Sequence, residues 1–209
     1  MSGKIRLFWL ILAVLFAAAA GFACFYADLF GSIYNRPDGD PGETVSQFFD
    51  SVRNGNYISA YSCLSDYLTL GLEKQPESAE AEQLYAALRQ SYRYTLDGTS
   101  SISGREATQR VQFHALNIRR AEQAAAELVN SILEEKVASL PEAEVYDGSG
   151  GYQTGLTDLV YEEALGQVLQ NTEPLCTDTN LEIRLTYTNG GWKIITDRNL
   201  MSALIGGES

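Results

Sequence analysis

His114 is the only histidine in 209 residues, and it stands in the stretch Arg110-Val111-Gln112-Phe113-His114-Ala115. A histidine can move protons near neutral pH when a closed pocket and a charged or polar partner tune it. Here the alternation sets His114 beside Arg110 and Gln112 on one face of a strand, opposite Val111, Phe113 and Ala115. The pattern favours an exposed strand histidine with no charge partner in view over a general base. With no cysteine nearby and no cluster of carboxylates, it is not read as a metal ligand either.

The other chemistry-bearing residues are weighed the same way. Three cysteines, Cys24, Cys63 and Cys176, are too few for a disulfide framework. Cys63 and Cys176 are able to pair in an oxidising compartment, and either also fits as a small buried hydrophobe. Gly148-Ser149-Gly150-Gly151 lacks the preceding strand, the helix and the lysine of a phosphate-binding loop, so it reads as an exposed loop. Most of the twelve tyrosines, including Tyr57, Tyr61, Tyr85 and Tyr187, fall on apolar stripes and are expected in the core. No catalytic, cofactor-binding or metal-binding residue is assigned, and no cofactor is expected.

The elements that position these residues can be read from periodicity. Asp40-Pro41-Gly42-Glu43 is a helix start, with Asp40 as cap and Pro41 at the first helical position. Val45, Phe48, Phe49 and Val52 follow as one apolar face, and Asn54-Gly55-Asn56 ends the helix. With Glu43 and Asp50 beside that face and only Arg53 basic, the helix is expected on a core rather than on a membrane surface. A short helix from Tyr57 to Leu64 comes next, then a third over Ala79–Gln90 with Leu84, Tyr85 and Leu88 as its stripe. Tyr92–Leu96 reads as strand, Gly98–Gly104 as a turn-rich break, and Arg110–Ile118 as strand. Two further helices cover Ala121–Ala138 and Thr157–Gln170, the latter with Val160, Ala164 and Val168 in register and Leu159 and Leu165 beside them. The loop Pro141–Gly155 joins them. The final segment alternates through Leu181, Ile183, Leu185 and Tyr187, turns at Asn189-Gly190, and returns through Trp192, Lys193, Ile194 and Ile195. That is a β-hairpin. Helices first and antiparallel strands later make an α+β domain.

The N-terminus sets the location. Leu7–Ala27 contains no charged residue and is long enough to span a bilayer. Lys4 and Arg6 precede it, and Asp28, Asp38, Asp40 and Glu43 follow. The positive-inside rule therefore puts residues 1–6 in the cytoplasm and the rest outside. A retained anchor is favoured. A lipoprotein modified at Cys24 and a signal peptide cleaved after Gly21-Phe22-Ala23 remain the alternatives, and both also export the domain. The division expected is cytoplasmic residues 1–6, an anchor or signal at 7–27, a linker at 28–39, a domain at 40–205 and a tail at 206–209. Without Lys4 and Arg6 the chain carries 13 basic and 27 acidic residues, a net charge near −14. Such a surface repels phosphate backbones, which argues against nucleic acid as a partner.

The helix ending FFDSVRNGNY, the short ISAYSCLSDYL helix and the terminal TYTNGGWKIITD hairpin resemble the nuclear transport factor 2-like superfamily, in particular its small membrane-anchored extracytoplasmic members. The resemblance covers roughly residues 41–198 and implies a curved antiparallel sheet wrapped by N-terminal helices into a cone. The helical pair within residues 120–172, inserted before the last hairpin, departs from the three or four consecutive strands usual in that superfamily. Its enzymes, ketosteroid isomerase and SnoaL-type cyclases among them, use an Asp, His or Tyr inside the cone for proton transfer. The inward face expected here, Leu181, Ile183, Leu185 and Tyr187, has no carboxylate, and Glu182 and Arg184 fall on the other face. The expected function is a non-catalytic, membrane-anchored binding or accessory domain whose partner is a protein, a peptide or an envelope component. A scaffold subunit of a secretion or conjugation apparatus and a small-molecule isomerase or cyclase are the competing readings.

Overall fold

A computed structural model describes residues 37–66, 78–188 and 190–207. The anchor expected at 7–27, with Cys24, and the turn residue Asn189 lie outside the described residues. Among the described residues no helix is long and apolar enough to cross a membrane.

Helix α1 (Pro41–Arg53) forms where its caps demand it. The Asp40 carboxylate accepts the Gly42 N–H at 2.9 Å, and Pro41 opens the first turn. At the other end Gly55 takes a positive φ of 70°. The Asn56 N–H then reaches the Ser51 carbonyl and the Gly55 N–H the Val52 carbonyl, the paired bonds of a Schellman motif. Val45, Phe48, Phe49 and Val52 are all buried, as the stripe requires. Helix α2 (Tyr57–Ser62) follows at once, and the chain beyond it forms a parallel bridge from Leu64 to Ile194.

Helix α3 (Ala79–Ser91) buries Leu84 and Leu88, but Tyr85 points outward and is 42% exposed. The expectation that Tyr85 belongs to the core is therefore corrected: the arc α3 turns toward the sheet and the helical pair holds Leu84 and Leu88 but not Tyr85, and Tyr57, Tyr61 and Tyr187 are only half-buried. Strand β1 (Arg93–Ser103) also differs from expectation, since it runs through Gly98 without breaking. Its register against strand β2 (Glu106–Leu116) shifts between Asp97 and Ser101, and Gly98 supplies the positive φ of 68° within the irregularity. Buried Gln109 holds this bulge. Its amide donates to the carbonyls of Gly98 and Arg110 at 3.3 and 2.9 Å and accepts the Ser100 hydroxyl at 2.6 Å.

Helix α4 (Ile118–Ser139), the four-residue α5 (Glu142–Val145) and α6 (Thr154–Leu169) separate β2 from strand β3 (Cys176–Thr188), which is entered through a 3-10 turn at Glu173–Leu175. The sheet is a four-stranded antiparallel meander, β1-β2-β3-β4, closed by strand β4 (Gly191–Ile194). The expected hairpin pairs as read, with Leu185 opposite Ile194 and Tyr187 opposite Trp192. The architecture is α+β, with the helical pair inserted before the last hairpin. The chain then adds helix α7 (Arg198–Leu204), which the sequence reading did not recognise although Asp197 caps it by accepting the Leu200 N–H at 2.9 Å.

One face of the sheet carries the core. Ala107, Val111, Phe113 and Ala115 of β2 and Leu181, Ile183 and Leu185 of β3 are buried there; α1 and α3 pack on β2, and α7 packs on β2 and β3. Rings fill the centre: Phe49 lies between Phe48, Tyr94 and Phe113, and Tyr92 packs on Phe113. Trp192 donates its indole N–H to the Gly39 carbonyl at 3.2 Å, fastening the segment before α1 to the last hairpin. At the C-terminus Gly206, at φ 67°, repeats the Schellman ending of α1 and lets its carbonyl accept the Ile118 N–H.

Candidate functional site

Proton transfer inside the sheet would need an ionisable group facing a cavity. The inner face instead presents Phe49, Phe113, Leu181, Ile183 and Leu185, all buried. Gln109 is the buried polar side chain at mid-strand, and its hydrogen bonds are spent on the β1 bulge. Tyr94 donates its hydroxyl to the Ser46 carbonyl at 3.2 Å, and burial raises its pKa above the ordinary tyrosine value. Tyr92 donates its hydroxyl to the Leu204 carbonyl, and burial raises its pKa far more. A phenol held neutral and bonded to a backbone carbonyl is a structural group.

His114 stands on the opposite face, as its strand alternation requires. The expectation that it lacks a charge partner is corrected. Its Nδ1 lies 2.8 Å from Asp178 Oδ1, and its Nε2 lies 3.6 Å from Glu173 Oε1. Arg93 pairs with Glu173 at 3.2 Å. Strand register makes this row: Arg93 of β1 and Asp178 of β3 both sit opposite His114, and Glu173 comes from the turn that enters β3. The expectation of an exposed histidine is corrected too: the His114 side chain is only 21% exposed, while Asp178 and Glu173 are 88% and 60% exposed. Ion pairs whose carboxylates are this solvated order strands and add little stability. Two clefts farther along this face, of about 310 and 520 Å³, are lined by Asp97, Arg110 and Glu182 among others, without His114.

The two described cysteines are free. Cys63 is buried, and burial pushes its thiol pKa up; the half-buried Cys176 is pushed up for the same reason. Thiols so placed are protonated and inert as nucleophiles. The glycine-rich loop is a self-contained turn. Asp147 Oδ1 accepts the Ser149 hydroxyl, the Ser149 N–H and the Gly151 N–H, bonds that lower its pKa below the usual carboxylate range. The Tyr146 and Tyr152 rings stack across its base at 5.5 Å. Among the described residues, no group of three His, Cys, Asp or Glu side chains is placed to hold a metal ion.

What the sequence reading did not locate is a cleft of about 600 Å³ on the inserted helices. Leu140 at the end of α4 and Leu156 and Leu159 of α6 form its apolar floor. Gln83 of α3 closes one side, and Glu144, Glu162, Glu163 and Lys136 stand at its rim. Gln83 donates to Glu162 at 3.4 Å, and Lys136 pairs with Glu163 at 2.9 Å. The sequence held one signal of it. Helix α6 carries Leu156, Leu159, Val160, Ala164, Leu165, Val168 and Leu169, too many apolar residues for a single buried face.

Sheet and helices together define an α+β domain with a four-stranded antiparallel meander and an inserted helical pair. No protein-family model matches the chain, and no curated protein matches it in sequence. Among solved structures, a crystal structure of the "putative lipoprotein (ycdA)" from Bacillus subtilis is similar at a TM-score of 0.39 and 12% identity. That match covers 88% of this chain, and the chain spans 53% of that protein. A likeness at this level carries no argument about function.

Proposed function

We propose that the chain is a non-catalytic binding or accessory domain of nuclear transport factor 2-like architecture, held outside the cytoplasm by the segment 7–27. The filled inner face of the sheet supports the non-catalytic part. Where an isomerase or cyclase needs an ionisable side chain in a cavity, this chain places packed rings and a glutamine bonded to the Gly98 and Arg110 carbonyls and the Ser100 hydroxyl. The uncharged run Leu7–Ala27, with Lys4 and Arg6 before it and acidic residues after it, supports the anchor and its orientation.

The test is protease accessibility on intact cells carrying the chain with a tag at each end. The proposal expects external protease to remove the C-terminal tag while the N-terminal tag stays protected in the membrane fraction. Protection of both tags would refute export. A membrane form that Cys24→Ala abolishes would replace the protein anchor with a lipid one, and release of a shortened soluble form would replace it with a cleaved leader.

A further inference from the structure

The groove on the inserted helices has no occupant in the reading above. We propose that it docks an amphipathic peptide segment of a partner protein, one with leucine-like side chains on one face and lysines or arginines beside them. This rests on the accessory-domain reading and gives it a ligand class.

The groove has two parts, and each constrains the occupant. Its apolar lining is Leu140, Leu156 and Leu159, of which Leu156 is buried and Leu159 is 62% exposed. Helix α6 buries Leu156, Val160, Ala164 and Leu165 and leaves Leu159 largely in solvent beside the cleft, an apolar side chain its own domain does not cover. Apolar side chains gathered in a cleft differ from leucines scattered on a surface; gathered ones mark contact sites. A volume of about 600 Å³ lies in the range of ligand sites and seats a few apolar side chains.

Charge selects among the possible occupants. Residues 118–169 hold ten acidic and three basic residues, and Lys136, the one basic residue at the rim, is taken by Glu163. Glu144 and Glu162 also line the cleft without a basic partner, Glu162 accepting only the Gln83 amide. A second copy of the chain would set this acidic rim against itself, and anionic lipid headgroups are repelled in the same way. A neutral apolar ligand satisfies the floor and leaves the rim without a complement. A cationic amphipathic segment satisfies both, its apolar side chains entering at i, i+3, i+4 and i+7 while its cations reach the glutamates.

The probe is a labelled peptide of about 14 residues with Leu at those helical positions and Lys elsewhere, titrated against the full chain in zwitterionic-lipid nanodiscs with empty discs as the blank. A peptide of equal charge with its leucines replaced by serine is the control. We expect saturable binding that Leu159→Asn weakens at least tenfold and Glu144→Lys weakens several-fold. Raising the salt to about 0.5 M is expected to shrink the second effect and leave the first. Both positions are exposed, so the variants should fold, and their circular dichroism spectra check this. Absence of binding, equal binding of the serine control, or an unchanged affinity in Leu159→Asn would each overturn the proposal. So would a dimer that Leu159→Asn dissolves, because the groove would then belong to a second copy. A chain that stays out of the discs counts against the anchor and not the groove; the titration is then made on the free chain and read by the same outcomes.

Discussion

Phe49 is the residue on which the packing account depends most. It is 2% exposed, and its ring centroid lies 5.3 Å from Phe48, 5.2 Å from Tyr94 and 5.1 Å from Phe113. Truncating a buried phenylalanine to alanine costs about 3 to 5 kcal/mol in lost transfer energy and residual cavity. Ring pairs in such geometries add about 0.5 to 1.5 kcal/mol each beyond area burial. With three ring neighbours Phe49→Ala belongs in the upper half of that range, about 4 to 5 kcal/mol. The assay is urea unfolding of a fragment that begins at Asp38 and so keeps the Asp40 cap and the Gly39 carbonyl bonded to Trp192. Trp192 is the only tryptophan left in that fragment, since Trp9 lies upstream, and its fluorescence reports the core directly. The midpoint should fall with little change in the m-value, and the melting temperature should drop by about 10 to 15 °C. A change below about 1 kcal/mol would mean that the rings are not packed as described. A fragment that aggregates with no cooperative transition would refute the division of the chain before α1.

Three further outcomes follow from the same geometry. Gly206→Ala should destabilise by about 2 to 3 kcal/mol, because the left-handed conformation disfavours a side chain and an added Cβ would lie 2.6 Å from the Leu116 carbonyl oxygen; thermal unfolding within about 0.5 kcal/mol of the parent would contradict it. His114→Ala should change stability by less than about 1 kcal/mol, since its Asp178 partner is almost fully solvated, and a loss above about 2 kcal/mol would show that the ladder matters more than an exposed pair can. Tyr92 gives the alkaline limit. Burial raises its folded pKa above the ordinary value near 10, so its contribution is complete below pH about 10 and is lost progressively as pH rises above that, where only the unfolded chain releases the proton. Tyr92→Phe should cost about 1 kcal/mol at pH 7 through the bond to Leu204 and flatten the fall in stability above pH about 10; an unchanged alkaline limb would assign the fall to other groups.

What could be read from the sequence was what neighbours in the chain decide. The caps of α1, the stripe through Phe48 and Phe49, and the alternation that sends Leu181, Ile183 and Leu185 inward are properties of a few consecutive residues, and the fold keeps all of them. The errors fall where a distant element decides. Gly98 looked like a strand break, yet Gln109 on the neighbouring strand satisfies the bulge and the strand continues. Tyr85 belonged to an apolar stripe, but whether it was covered depended on how α3 sits between the sheet and α6. His114 was placed on the correct face and denied its partner, because Asp178 is 64 residues away and only the β2–β3 register brings the two together.

The same distinction separates the groove from the inner face. The face a strand residue takes is written in the local alternation of its neighbours. The inward positions of β2 and β3 hold Val111, Phe113, Leu181 and Ile183, which their alternation already indicated. A groove between helices has no such local code. Its floor joins Leu140 to Leu156 and Leu159 across a loop, and its side wall comes from Gln83, more than fifty residues earlier. The sequence could show only that α6 had more apolar residues than one face can bury. That surplus fits two arrangements, a helix enclosed by its own domain or a helix waiting for a partner. With Val160, Ala164 and Leu165 buried and Leu159 largely in solvent, the fold encloses one side of α6 and leaves the other. On the proposal made above, that open side of the inserted helices is the surface a partner would read.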